Sequence, residues 1–453
     1  MRVFAIIALR NLVQARRRTF LLGLALGAVT AMLVLLLSLS RGIGDTMIRS
    51  ATTLASGHVN VGGFFKATSS DASPIVKDVS KLRALIEEEV EGVELVVDRA
   101  RGWARIVSPE GSLQAGLTGV DVEEETRLLE TLEPAPLGDY LEDTDLSEAE
   151  AATVEGDLHD LAKGPGAVVF AAQARRLGVR VGDPLTIVAE TLQGQRNSAE
   201  VTIVAIAKDI GFMSNFSVFL DKESVRKLYR LGPDVSGVVQ VHLADHRRAN
   251  TVMEGLRTTL EGHGYELMPH EPAPFFAKFG VVSNEAWTGQ RLDLTVWEDE
   301  VSFLRWILTA LDTLSLTLVS TLLVIIGVGI TNSMWISVRE RTNEIGTLRA
   351  IGMGRNQVLG MFLLEAVILG VVATGLGALF GAGLASGIDA AHIRIPVDAV
   401  RVVLLSDVLH LVVVPSQVLA SVLGLSLVAS LAAAWPAIAA ARLQPVTAIH
   451  KVG

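Results

Sequence analysis

The chain has 453 residues, half of them hydrophobic, with a mean hydropathy of +0.44, a formal net charge of −10 and no cysteine. That hydropathy lies above the range of a soluble globular domain, and the missing cysteine excludes disulfides, thiolate catalysis and Cys-based zinc or iron–sulfur sites. Charge is placed unevenly, with 26 Lys and Arg against 42 Asp and Glu in Arg41–Arg305 and 13 against 7 elsewhere, so the polar region lacks the basic face that nucleic acid requires.

Met1–Arg18 carries Arg2, Arg10, Arg16, Arg17 and Arg18 without an acid, and Phe20–Ser40 follows without a charge. A helix crosses a hydrocarbon core of roughly 30 Å with about 20 apolar residues. Residues 1–18 are therefore read as a cytoplasmic amphipathic N-terminus and 19–40 as the first transmembrane helix. A cleaved signal peptide has an apolar core of about 7–15 residues and a small-residue exit, which the following SLSRGIGD does not supply. Gly23 and Gly27 form a GxxxG pair, of the kind that lets a second helix approach closely.

Residues 41–300 read as an extracytoplasmic domain of mixed α and β structure, large enough for its own core. Alternating or β-branched runs predict strands at His58–Val61, Val93–Val97, Ala104–Val107, Leu113–Gly119, Ala167–Phe170, Pro184–Ala189, Glu200–Ala207, Ser217–Leu220 and Gly237–Leu243. Helical stretches are expected at Asp78–Glu89, Ala171–Leu177, Lys222–Tyr229 and Arg247–Leu260. The acidic stretch Asp139–Lys163 reads as a solvated insertion. Its carboxylates Asp143, Asp145, Glu148 and Glu150 lack the loop glycine and closing Glu of a calcium loop. Glu271–Asn284 gathers two Pro and three Phe in an expected irregular piece. Two readings stand for it: a linker covering core, or an exposed apolar hook for a partner or lipid.

Val301, Leu304, Leu308, Leu311 and Leu314 carry a helical stripe into a second span at 301–338. A continuous helix there is about 57 Å long, more than the bilayer needs, so its outer part is expected to stand out as a stalk. Asp312 falls near the outer end of the span. Residues 339–357 set Arg339, Arg341, Arg349 and Arg355 against Glu340 and Glu344. The spacing of Ile345, Leu348, Ile351 and Gly352 predicts one short amphipathic helix in this loop. The third span, 358–387, is glycine-rich, and Gly375, Gly377 and Gly381 are expected to pack against neighbouring helices. Glu365, near its inner end, reads as an interfacial anchor. An outer loop at 388–410 precedes a fourth span at 411–441, which Pro436 kinks or ends, and a tail at 442–453. The basic segments fall on one side, which implies that both termini are cytoplasmic.

Thr331–Ala366, and above all the ERT-x-EIG-x-LRA-x-G run at Glu340–Gly352, resembles the signature segment of FtsX-like permeases, the membrane subunits of MacB-type ABC transporters. Thr118–Asp121, Leu177–Asp183, Val201–Lys208 and Phe219–Asp221 are similar to short motifs of MacB-type periplasmic core domains, and Trp435–Pro445 resembles the family's C-terminal tail. The resemblance implies an integral membrane α-helical protein with four transmembrane helices and a large α+β extracytoplasmic domain, of the MacB-type periplasmic core kind, inserted between helices 1 and 2. It further implies that Glu340, Arg341, Glu344, Ile345, Gly346, Leu348, Arg349 and Gly352 couple to a cytoplasmic ATP-binding subunit present in two copies. ATP and magnesium would be bound there, with no cofactor in this chain. A second permease copy or paralogue is the implied membrane partner, in a cell inner membrane. Lipids, a lipoprotein cargo, a periplasmic carrier and a membrane-fusion protein are the other partners it suggests.

The short lead before the first span is similar to the stand-alone permeases of the LolC/LolE group. The function expected is permease work of the mechanotransmission type that releases or extrudes a lipoprotein or amphipathic substrate. The alternative is an FtsX-like signalling module that activates an extracytoplasmic cell-wall hydrolase. The sequence contains no GxxxxGK[ST], HExxH or GxSxG motif, so no enzymatic activity is expected of it and the energy must come from a partner.

Overall fold

The computed structural model describes residues 10, 14, 16–69, 71–141, 146–395 and 408–443. It divides into a helical unit, drawn from Met1–Asp45, Ile307–Ile395 and Val408–Gly453, and a sheet unit, Thr46–Trp306.

The helical unit is built from α1 (Arg16–Leu54), the later helix Ser302–Glu340, a short helix Thr342–Ala350, and the helices Arg355–Ala390 and Pro415–Ala441. Four of these are long and apolar enough to cross a membrane. Small residues decide which of them touch. A Cβ placed on Gly377 would fall 2.1 Å from the Gly27 carbonyl oxygen, and one on Gly381 would fall 2.7 Å from that of Ala31. The third span thus meets α1 backbone to backbone, and the Gly23/Gly27 pair is part of the seam. Gly370 faces Ser426 and Ala429 of the fourth span, and Thr374 Oγ1 lies 3.1 Å from Ser426 Oγ in a buried contact. Gly375, expected with these, meets open space. The second span is mostly uncovered, exposing Leu316, Val324, Ile325 and Val328.

In the sheet unit the helices of eight or more residues are α2 (Val79–Glu89), α3 (Lys222–Tyr229), α4 (Ala249–Gly262) and α5 (Phe275–Asn284), and the expected Ala171–Leu177 forms a shorter one. In chain order, α6 is Ser302–Glu340, α7 Thr342–Ala350, α8 Arg355–Ala390 and α9 Pro415–Ala441. The main strands are β1 (Val59–Lys66), β2 (Val93–Val107), β3 (Ser112–Val120), β4 (Gly166–Phe170), β5 (Pro184–Glu190), β6 (Arg196–Ala207), β7 (Ser217–Asp221), β8 (Val238–Leu243) and β9 (Gly289–Val296). They join in the order β9-β1-β8-β2-β3-β7-β4-β6-β5. A further pairing of β5 with β2, from Arg105↔Val188 to Val107↔Thr186, closes the last six into a barrel. Inward residues such as Ile106, Leu117, Val169, Ile187, Ile203 and Val218 fill it, and α3 adds Val225, Leu228 and Tyr229. Gly102 is required where it stands, because a Cβ there would meet the Tyr229 ring at 2.3 Å.

The strand β2 belongs to both halves. Val93–Arg99 pairs with β8, and Ala100–Val107 pairs with β3. The sequence pattern broke this 15-residue strand in two, because Asp98 and Arg99 interrupt the apolar run; both are buried and ion-paired. The strand β9 was not among the expected strands, although Arg291, Asp293 and Thr295 alternate with Leu292, Leu294 and Val296 in the period of two that marks one; Asp293 and Thr295 are buried as well.

Glu271–Asn284 is not irregular throughout, since Phe275–Asn284 forms α5. Phe275 stacks on Phe64 at 4.6 Å between ring centres, and the amine of Lys66 donates to the Val282 and Glu285 carbonyls at the helix end. Phe276, by contrast, is 77% exposed. The segment therefore both covers core and presents an apolar face. The described part of the acidic stretch, 139–141 and 146–163, is not wholly solvated. It buries Tyr140, Leu158 and Leu161 and holds a helical turn, Glu148–Ala151, capped by Ser147. Asp143 and Asp145 lie outside the described residues.

Candidate coupling segment

The loop between the second and third spans folds as α7, set off from α6 by Arg341 (φ −103°, ψ 16°). Arg341 Nη1 donates to Glu365 Oε2 of α8 at 3.2 Å, with the two side chains 12% and 5% exposed. Ile345 and Gly346 form the buried face of α7. Ile345 joins Met334, Val338, Val358, Phe362, Ala433 and Ala437 in a single apolar cluster. From the last turn, Arg349 Nη1 donates to the Ala441 carbonyl at 3.1 Å and to the Leu443 carbonyl. The Ala441 carbonyl is in the last turn of α9, where a helix leaves acceptors unpaired and carries partial negative charge, and Leu443 follows just beyond its cap.

Gly352, at φ 112°, terminates α7 in a left-handed turn in which its N–H meets Arg349 O and the Met353 N–H meets Leu348 O. Such a turn is a helix stop suited to glycine. Gly354 then opens α8, its N–H donating to Gln357 Oε1 at 2.9 Å.

The residues expected to couple are thus divided by direction. Glu340, Glu344 and Gly352 are exposed, Ile345 and Gly346 are buried, and Arg341, Leu348 and Arg349 are half-buried. The expected single stripe is broken, because Ile345 points in while Ile351 is 80% exposed. Sequence reasoning did not single out Thr347, which is exposed with Asn343, Glu344 and Ile351, nor the burial of Glu365. The signal for Glu365 was an acid at a position otherwise flanked by apolar residues, with an arginine available one loop earlier.

The sheet unit buries several charges, each with a partner. Burial pushes the Asp98 carboxyl up, but Lys222 at 2.7 Å and Arg83 at 2.9 Å outweigh it and hold the group below the usual carboxylate range. Lys278 of α5 turns inward onto Asp293 of β9 at 2.9 Å. There burial wins, and the Asp293 carboxyl lies above its ordinary range. His58, His242 and His246 gather at the start of β1, with ring centres of His58 5.7 Å from His242 and 6.2 Å from His246.

The model for the MacB-like periplasmic core domain matches residues 19–259, and that for the FtsX-like permease C-terminal region matches residues 316–445. Curated relatives include the macrolide export ATP-binding/permease protein MacB of Bartonella henselae, 26% identical over 241 residues, which are 53% of this chain and 31% of that protein. The protein of the same name from Psychrobacter cryohalolentis is 34% identical over 129 residues, 28% of this chain and 17% of that one. The chain therefore spans less than a third of the length of these relatives. Among solved structures, the extracellular domain of the noncanonic ABC-type transporter YknZ from Gram-positive bacteria aligns with a TM-score of 0.28 and 12% identity, covering 51% of this chain and 98% of that one. The periplasmic region of MacB from Actinobacillus actinomycetemcomitans aligns with a TM-score of 0.27 and 12% identity, covering 45% and 85%. The signalling alternative is not favoured by the match to a MacB-like periplasmic core domain over residues 19–259. With a core-domain match over more than half its length and a permease match through its later spans, the chain belongs to the MacB-like periplasmic core domain family, as a multi-pass membrane permease of the FtsX-like type.

Proposed function

We propose that this chain is the membrane subunit of an ABC-type complex that transmits motion instead of opening a solute pore. ATP and magnesium are bound by two copies of a separate cytoplasmic subunit. Closure of that pair presses on α7, and the displacement passes through α6 and α1 to the sheet unit, which releases or extrudes a lipoprotein or other amphipathic substrate. Both termini and α7 lie on the cytoplasmic side. A second permease, identical or paralogous, completes the membrane part, and the uncovered flank of α6 supports such a neighbour.

The observation that carries this reading is the two-sided character of α7. Arg341, Ile345 and Arg349 fasten one face to α8 and α9, while Glu344, Thr347 and Ile351 stand outward on the other. A nine-residue helix so fixed moves with the spans that hold it. At its end Ile351 is 80% exposed among the described residues, an apolar side chain that suits a groove on a partner.

The test is Glu344→Lys combined with Ile351→Glu in full-length permease purified with its ATP-binding subunit in lipid nanodiscs. The expected result is loss of co-purification and at least a tenfold fall in permease-stimulated ATP hydrolysis, which corresponds to about 1.4 kcal/mol of coupling. Retention of both defeats the assignment. A cysteine placed at Thr347 is expected to react from the cytoplasmic side of sealed vesicles, and labelling from outside defeats the orientation.

A further inference from the structure

The helix of the first span ends inside the sheet unit, and its last carbonyls are not left to water. Arg99 Nη2 donates to Thr53 O at 2.7 Å and Nη1 to Leu54 O at 3.1 Å. Arg101 Nη2 and Gln240 Nε2 both reach Ala55 O, at 3.1 and 3.3 Å. These are acceptors that a helix terminus leaves unpaired, at the negative end of its dipole. Arg99 is itself 1% exposed, and its Nε lies 3.0 Å from both oxygens of the Glu125 carboxylate, which Nη2 also contacts.

Glu125 belongs to the turn that follows β3, on the barrel side. Arg99 is the last residue of β2 paired with β8, through Arg99↔Val238, and Ala100 is the first paired with β3, through Ala100↔Gly119. One guanidinium therefore meets three things: the end of α1, the point where a shared strand changes partners, and the barrel. On the neighbouring residue Asp98 gathers Arg83 of α2 and Lys222 of α3, so the same point of the strand is braced from both of those helices.

Stability alone does not call for this arrangement. Replacing a buried ion pair by apolar residues of similar size is often neutral or stabilising. What the planar five-donor fork of arginine adds is a fixed direction to each partner, which the single ammonium of lysine does not give. We propose that the Arg99–Glu125 pair is a joint that carries displacement of the end of α1 into the barrel. The proposal deepens the motion-transmitting reading above, but its test uses no ATP-binding partner, so the two fail separately.

The chain has no cysteine, so Arg49→Cys on the last turns of α1 and Gln193→Cys in the β5–β6 turn, both at exposed positions, take spin labels without background. The full-length chain in lipid nanodiscs is measured by dipolar spectroscopy, alone and with Arg99→Met/Glu125→Leu, which leaves no unpaired charge. The expected result is a narrow label-to-label distance distribution in the natural protein and one about twice as wide, or split in two, in the variant, beside a modest fall in melting temperature from the Thr53 and Leu54 carbonyls left without a donor. An unchanged width overturns the proposal whether or not the melting temperature falls, since a purely structural pair would move the second and not the first. Arg99→Lys, which keeps a cation beside Glu125, covers the case in which the double variant does not fold. It too is expected to broaden the distribution, and an unchanged width there overturns the joint equally.

Discussion

Acidification is expected to destabilise the sheet unit through His58 and His242. Burial, and then the nearby His246, pushes His58 down to about 4; burial, and then Arg99, pushes His242 down to about 3. Arg127 opposes protonation of both rings, and Glu94 favours it at His58 to a smaller extent. The geometry agrees, because His58 Nδ1 accepts the Leu243 N–H at 2.8 Å and a proton on that nitrogen would abolish the bond. Both groups have depressed folded values, so below the ordinary histidine pKa of about 6.5 the unfolded chain binds more protons than the folded one. The associated stability is fully present above that pH and falls as pH drops toward 4 at His58 and toward 3 at His242. Between pH 6.5 and 5 the loss is about 1.5 pH units at 1.36 kcal/mol each, roughly 2 kcal/mol per ring. For a unit of this size that is a fall of about 4–8 °C in melting temperature per ring. The assay is thermal unfolding of the detergent-solubilised full chain at pH 7.5 and 5.0, beside the same chain with His242→Phe. The variant should lose about 2 kcal/mol less than the natural protein over that interval. Equal losses in the two proteins would refute the reasoning.

Lys278→Met leaves Asp293 buried without its cation and should cost about 3–5 kcal/mol in a urea titration, whereas Lys278→Met with Asp293→Leu should recover most of that loss. Among the glycines of the third span, Gly377→Leu should abolish the close approach to Gly27 and lower the yield of folded protein in detergent, while Gly375→Leu, which meets open space, should be tolerated. Equal behaviour of these two variants would contradict the seam described here.

The four spans were legible because charge-free runs of 20 or more residues admit one reading. Most strands and helices of the sheet unit were legible for a similar reason, with β-branched alternation and turn glycines marking them. What escaped was governed by polar residues placed inside. Asp98 and Arg99 made one strand look like two, because hydropathy cannot show that a charge has a partner far along the chain, whereas the alternation in β9 was legible. The helix α7 was legible as an element but not in its orientation. Ile345 and Ile351 look alike in sequence, and what separates them is the apolar cluster and the Arg349 bonds to the end of α9, both contributed from afar. Barrel closure was invisible for the same cause, resting on three residue pairs between β2 and β5.

The pairing of β1 with β9 has a mechanical consequence. The helix α1 runs into β1 and β9 runs into α6, and the two strands start their antiparallel ladder at Val59↔Val296, the end nearest both helices, with the Trp297 N–H bonded to the His58 carbonyl just outside it. A force along the strands loads all the rungs from Val59 to Lys66 at once, and they resist together. A force across the strands at this end opens the rungs one after another from Val59, like a zip. The ladder is accordingly stiff to shear and compliant to peeling.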